Sequence, residues 1–210
     1  MITADAPLIP APAGTAKKPK NAVRDALIRC GVELCTESGF QVTGIESILR
    51  QVGVPKGSFY HYFKNKHEFG LAVIDSYAEY FGEKLRRLLS DETVPPLQRL
   101  RNFVHDAQRG MERYDFRRGC LVGNLGQELA GLDDEFRERL EGVLRSWEQQ
   151  TADCLNEAQA NGELEPGTDV QALAAFFWIG WEGAILRSKL TRSHAPMTLF
   201  SELFFDRVMR

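Results

Sequence analysis

The 210-residue sequence has no long hydrophobic run, no paired cysteines and no strand-like alternation, and each absence closes off a class of protein. Its richest apolar stretch, Leu173 to Leu186, is broken by Glu182, so no segment reaches the roughly 18 apolar residues that span a bilayer. The cysteines at 30, 35, 120 and 154 are scattered without a CxxC spacing, which argues against a zinc site or a disulfide framework and fits a reducing cytoplasm. No phosphate loop, nucleophile elbow or metal-ligand spacing surrounds the histidines at 61, 67, 105 and 194, so neither a cofactor nor a metal is expected, and an enzyme using Cys120 with one of them as base is disfavoured. Residues 1–20 carry their lysines after the apolar residues, the reverse of a secretory leader, and read as a Pro/Ala-rich flexible arm.

What is present is a globular composition, 43% hydrophobic, with an uneven charge. The net charge of −3 conceals nine Lys/Arg against five Asp/Glu in residues 1–67, and 17 against 24 in the remainder. A balance of +4 followed by −7 suggests a DNA-facing head on an acidic body.

Helical periodicity runs through the chain, and the fold class is all-α. Ala22, Val23, Ala26, Leu27, Cys30 and Leu34 mark a first helix over about 21–38, stopped at Gly39. Thr43 with Glu46 three residues on forms the pattern of a capping box before Ile45, Ile48, Leu49 and Val52. Gly53-Val54-Pro55 breaks that short helix, because proline cannot continue the ladder. A third helix is expected from Lys56 to about Phe63 and a long one from Lys66 to about Leu89. After Pro95-Pro96 come helices at about 97–114, 119–130, 133–161, 170–190 and 198–209. The expected organisation is an arm (1–20), a helix-turn-helix domain (21–66) and a larger helical domain for ligand binding and dimerisation (67–210).

A helix-turn-helix needs a short helix, a sharp turn and a second helix whose exposed residues reach the major groove. Thr43 to Phe63 supplies these in order. Phe59 and Phe63, four apart, face the core, which leaves Lys56, Ser58, Tyr60, His61 and Tyr62 facing outward. Serine and tyrosine hydroxyls donate to phosphates, Lys56 and Lys66 neutralise them with release of counterions, and Gly57 lets the backbone approach closely. The segment VPKGSFYHYFKNKHEFG resembles the DNA-binding head of TetR-type repressors, a likeness that covers about 21–75. The resemblance implies that Thr43 caps the second helix beside the DNA backbone, and that Lys56, Ser58, Tyr60, Tyr62 and Lys66 make most DNA contacts. It also puts His61 where a base-contacting side chain often stands. Gly44 and Glu46 depart from the family pattern, which leaves the operator sequence open.

In the second half, FRRGCLVGNLGQE (116–128) and AAFFWIGWEGA (174–184) resemble a subgroup that includes acrylate-responsive and, more distantly, electrophile-sensing repressors. Cys120 follows two arginines at a helix N-terminus, a setting that favours thiolate. Such a pocket is expected to hold a small-molecule inducer near Cys120. Asn124 and Arg187 are the expected holders of a carboxylate, and Trp178 and Trp181 the apolar walls and N–H donors. The alternative is a structural Cys120 beside a non-covalent hydrophobic inducer. Leu173, Phe176, Phe177, Gly180 and Ala184, with Leu199, Phe200, Leu203 and Phe204, either form a homodimer interface, as in the family, or complete the monomer core. The expected partners are thus a double-stranded palindromic operator, an inducer and a second copy of the chain, with no membrane. A nucleoid-type DNA binder without ligand is the remaining alternative.

Overall fold

The computed structural model describes residues 22–208, so the expected arm lies outside the described residues. Among the described residues the chain forms α1 (Ala22–Ser38), α2 (Ile45–Val52), α3 (Lys56–Tyr62), α4 (Lys66–Leu89), α5 (Pro96–Arg113), α6 (Leu121–Leu129), α7 (Asp134–Ala160), α8 (Val170–Thr191) and α9 (Ala195–Leu203). A wider π-type turn, Phe204–Val208, continues α9.

The boundaries have local causes. Gly39 takes a φ of 96°, left-handed geometry that only glycine adopts cheaply, and ends α1. Gly53, with a φ of 77°, ends α2 and donates its N–H to Leu49 O at 2.9 Å. Side-chain oxygens of Asn65, Asp133 and Asp169 accept the free N–H groups of Glu68, Phe136 and Ala172 at the starts of α4, α7 and α8. Each such cap stabilises its helix by about 1 kcal/mol.

One expected cap is corrected. Gly44, not Thr43, is the residue before α2, and it makes no side-chain cap. Thr43 is buried, and its hydroxyl donates to Gly39 O at 2.6 Å, which closes the α1–α2 turn instead.

In the head, α1 to α3 pack around Leu27, Ile48, Phe59 and Phe63. Phe69 of α4 joins them, its ring 5.3 Å from Phe59 and 5.1 Å from Phe63. The body is a bundle of α4, α5, α7 and α8 around Trp147, Trp178 and Phe103, with α9 laid over α8. Gly180 makes that last contact possible, since a Cβ there would come within 2.3 Å of the Phe200 ring. Helix α6 lies between the head's α1 and the body's α7.

Candidate nucleic-acid interface and ligand cavity

Helix α3 presents Lys56, Gly57, Tyr60 and His61 to solvent, with Ser58 and Tyr62 half-buried beside them and Phe59 fully inside. Tyr60, 51% exposed, is a large aromatic that the fold does not use as core. A Cβ on Gly57 would meet nothing within 4 Å, so packing does not require glycine there. The face has the reach and donors to follow a phosphate backbone.

Lys66 and Thr43 are placed differently. Lys66 is half-buried, donates to Gln41 O at 3.0 Å and lies 4.6 Å from the centroid of Phe40. Burial lowers its pKa, and it braces the loop before α2. Thr43 turns its hydroxyl inward, so a direct phosphate contact from it is not compatible with this arrangement.

In the body, a cavity of about 190 Å³ opens between α4, α5, α8 and the segment entering α6. Phe81, Phe103, Met111, Trp178, Trp181 and Met197 wall it, and Tyr77, Cys120 and Glu182 supply polar atoms. Two larger grooves, about 430 Å³ against α7 and about 1000 Å³ along α1 and α4, are lined chiefly by charged and small side chains. The smaller cavity is therefore the one with the chemistry of a ligand pocket.

Cys120 immediately precedes α6, as expected, but its chemistry is the reverse of that expected. Burial pushes its pKa well above the ordinary thiol value, and the nearby Glu182 carboxylate adds to this. The N–H groups of Gly123 and Val122 at the helix start oppose the shift without overcoming it. The preceding cations point elsewhere. Arg118 lies 4.3 Å from the Tyr114 ring centroid and 3.7 and 4.0 Å from carboxylate oxygens of Glu37 and Glu33, while Arg117 is exposed.

Two other pocket assignments are corrected. Asn124 donates to Thr36 O at 2.9 Å and Arg187 stands exposed on α8, so neither lines the cavity. Trp178 does line it, but its indole N–H is committed to the Thr151 hydroxyl at 3.0 Å and is no ligand donor. Trp181 lines the cavity and stacks on Phe177 at 5.7 Å. None of the four histidines lines it, which leaves Cys120 without an imidazole base.

Sequence reasoning used Glu182 only as an interruption of an apolar run, and that interruption was the signal. Burial pushes the Glu182 carboxyl up to about 7, partly offset by the hydrogen bond from Cys120. Its Oε1 is shut off from solvent without a hydrogen-bond partner among the described residues. Gly123 makes room for it, since a Cβ there would lie 2.0 Å from Oε2.

Also missed was the junction between cavity and head. The carbonyls that α1 leaves unpaired at its C-terminus accept from the body: Thr36 O takes Gly119 N–H at 3.2 Å, Asn124 Nδ2 at 2.9 Å and Lys189 Nζ at 3.4 Å. At the far end of α6, the Glu128 carboxylate accepts the N–H groups of Phe40 and Gln41 at 2.7 and 2.6 Å. The segment 118–120 is thus cavity wall on one side and helix cap on the other.

Comparison with known proteins bears on both halves. Residues 27–73 match the model of bacterial regulatory proteins of the tetR family, and residues 96–204 that of the tetracyclin repressor-like C-terminal domain. The chain is 48% identical to the transcriptional regulator AcuR of Cereibacter sphaeroides, over 94% of this chain and 95% of that one. It is 28% identical to the transcriptional repressor NemR of Escherichia coli K12, over 86% and 91% of the two chains. The crystal structure of a regulatory protein TetR from Rhodobacter sphaeroides superposes with a TM-score of 0.84 at 51% identity, covering 87% of this chain and 97% of that one.

Proposed function

Because the chain belongs to the TetR family of transcriptional regulators and is not an enzyme, we propose that it represses transcription as a homodimer on a palindromic operator and is released by a small molecule sensed near Cys120. The observation that carries the reading is the double duty of residues 118–120. They line the cavity and bond to the C-terminus of α1, so a ligand that shifts this segment alters how the head is held. We accordingly divide the chain into a head over 21–66 and a sensing body over 67–210.

DNA contact is assigned to Lys56, Gly57, Ser58, Tyr60, His61 and Tyr62, with Lys66 acting mainly by bracing the loop. The inducer is an acrylate-like compound or another small electrophile. If it carries a carboxylate, Arg113 or Arg118 on the cavity wall would receive it rather than Asn124 or Arg187. Burial of Cys120 favours a second reading, a non-covalent hydrophobic inducer beside an inert thiol.

The dimer face is a stripe of α8. Phe176, Ile179, Leu186 and Leu190 are exposed and, with Gly183, recur at alternating spacings of three and four, the seam of a helix pair. Exposed Leu199 and Leu203 of α9 extend it. Leu173, Phe177, Ala184 and Phe204 are instead monomer core, and Gly180 is filled by Phe200. No described helix is long and apolar enough to cross a membrane, and we place the protein in the cytoplasm with the DNA.

The test is a footprint on DNA flanking the gene. Protection of one palindrome with half-sites roughly 34 Å apart, lost on adding acrylate or a related electrophile, is expected. Uniform protection that no small molecule alters would overturn the reading in favour of a nucleoid-type binder.

A further inference from the structure

We propose that Glu182 is the proton-transfer group that activates Cys120 for addition to a neutral α,β-unsaturated carbonyl compound in the cavity. The inference rests on the sensing function proposed above and names its chemistry. Both side chains face the same cavity of about 190 Å³, and the carboxylate is near enough to the thiol to push its pKa up. The carboxylate sits in a notch that exists because residue 123 is glycine, and its second oxygen has no partner among the described residues. A buried carboxylate without a full set of partners destabilises the fold, so its presence calls for an explanation beyond packing.

The cysteine needs such a group. Its thiol is held in the protonated form by burial and by Glu182 itself, so it reacts only if the proton leaves as the sulfur attacks. A group poised near neutrality suits that transfer, and Glu182 titrates at about 7. In the step, the S–H proton passes to the carboxylate while sulfur bonds to the β-carbon. The alkene electron pair moves onto the α-carbon and carbonyl, and the α-carbon then takes the proton back from Glu182. The carboxylate ends as it began, no electrons are gained or lost overall, and no co-reactant is required. A ligand that is itself anionic would be drawn toward Arg113 and away from the Glu182 carboxylate, so the neutral carbonyl compound is the one suited to addition at Cys120. The other titratable groups on the cavity wall are Tyr77, Tyr80, Lys84, Arg113, Tyr114 and Arg118. Lys84 is held by Asp106 at 2.5 Å and Arg118 by Glu37, while Tyr77 is itself pushed far up by burial.

The experiment uses the full chain with acrylamide as probe, the Cys120 adduct being followed by peptide mass spectrometry at pH 7.5. Glu182→Gln has opposite outcomes under the two accounts. If the carboxylate merely sits beside the sulfur, its removal frees the thiol to ionise and alkylation speeds up. If it moves the proton, alkylation slows by roughly 10²-fold. Equal or faster reaction overturns the proposal. The unaltered protein gives a second reading independent of the variant's folding. Its adduct rate should level off above a midpoint near pH 7, whereas a steady tenfold rise per pH unit through pH 9 overturns the role of Glu182. Operator release by propionamide, the saturated analogue that forms no adduct, would sustain the sensing function and overturn only the addition. Release by neither amide together with a failed footprint would overturn the sensing function itself.

Discussion

Individual side chains in this molecule divide by whether they touch solvent or other side chains. Lys56 is exposed at the start of α3, and Lys66, ten residues on, is tied to Gln41 O. Lys56→Ala should therefore reduce the slope of operator affinity against salt by about one counterion and leave thermal melting unchanged. Lys66→Ala should lower both affinity and melting temperature, a contrast that gel shifts at several salt concentrations and thermal melts would display. Glu182 makes a prediction about stability. Its folded pKa of about 7 lies above the ordinary 4.5, so the folded state holds a proton that the unfolded chain releases between those values. The stability this group contributes is complete below about pH 4.5 and is lost as the pH rises through 7. Glu182→Gln, which mimics the protonated form, should match the parent at pH 4.5 and exceed it by about 3 kcal/mol at pH 8, as read by denaturant titration. A constant difference across that range would contradict the assignment.

Helix α6 is the element on which the two halves meet. Cys120, just before its first turn, lines the cavity and Asn124 faces α1, while Glu128 near its end holds the loop before α2. Glu128→Ala returns the exposed Gln41 N–H to water and leaves the part-buried Phe40 N–H without an internal acceptor, at a cost of about 1 kcal/mol. We expect weaker operator binding from it with ligand affinity retained, measurable by gel shift beside calorimetry on the same protein. The helices themselves were legible in the sequence because their ends are written locally, in Gly39, Gly53, Pro55 and Pro95-Pro96. The α3 face was legible because Phe59 and Phe63 fix which side is core. The capping box was misread since Thr43 and Glu46 satisfy the spacing rule, yet the Gly39 carbonyl competes for the hydroxyl and wins. Asn124 and Arg187 were misassigned for a different reason. The cavity is built from α4, α5, α8 and the entrance of α6, and no periodicity along one helix tells which of its polar residues a distant helix will face.

For the molecule as a whole, the proposed dimer rests on one surface. The exposed apolar stripe on α8 includes Ile179 at 73% and Leu190 at 71%, surface that a second copy would cover. Ile179→Glu with Leu186→Glu should give a monomer in sedimentation and lower operator affinity at least 10²-fold, since one head loses the effective concentration supplied by the other. The same double substitution should leave the aromatic interior intact, because both residues point away from it. That interior has a use in the laboratory. All three tryptophans, at 147, 178 and 181, lie fully buried, Trp147 and Trp178 with ring centroids 5.1 Å apart and Trp178 and Trp181 on the cavity wall. Every indole that emits light is therefore on or beside the surface that a bound molecule would touch, and the unlabelled protein carries its own optical gauge of occupancy.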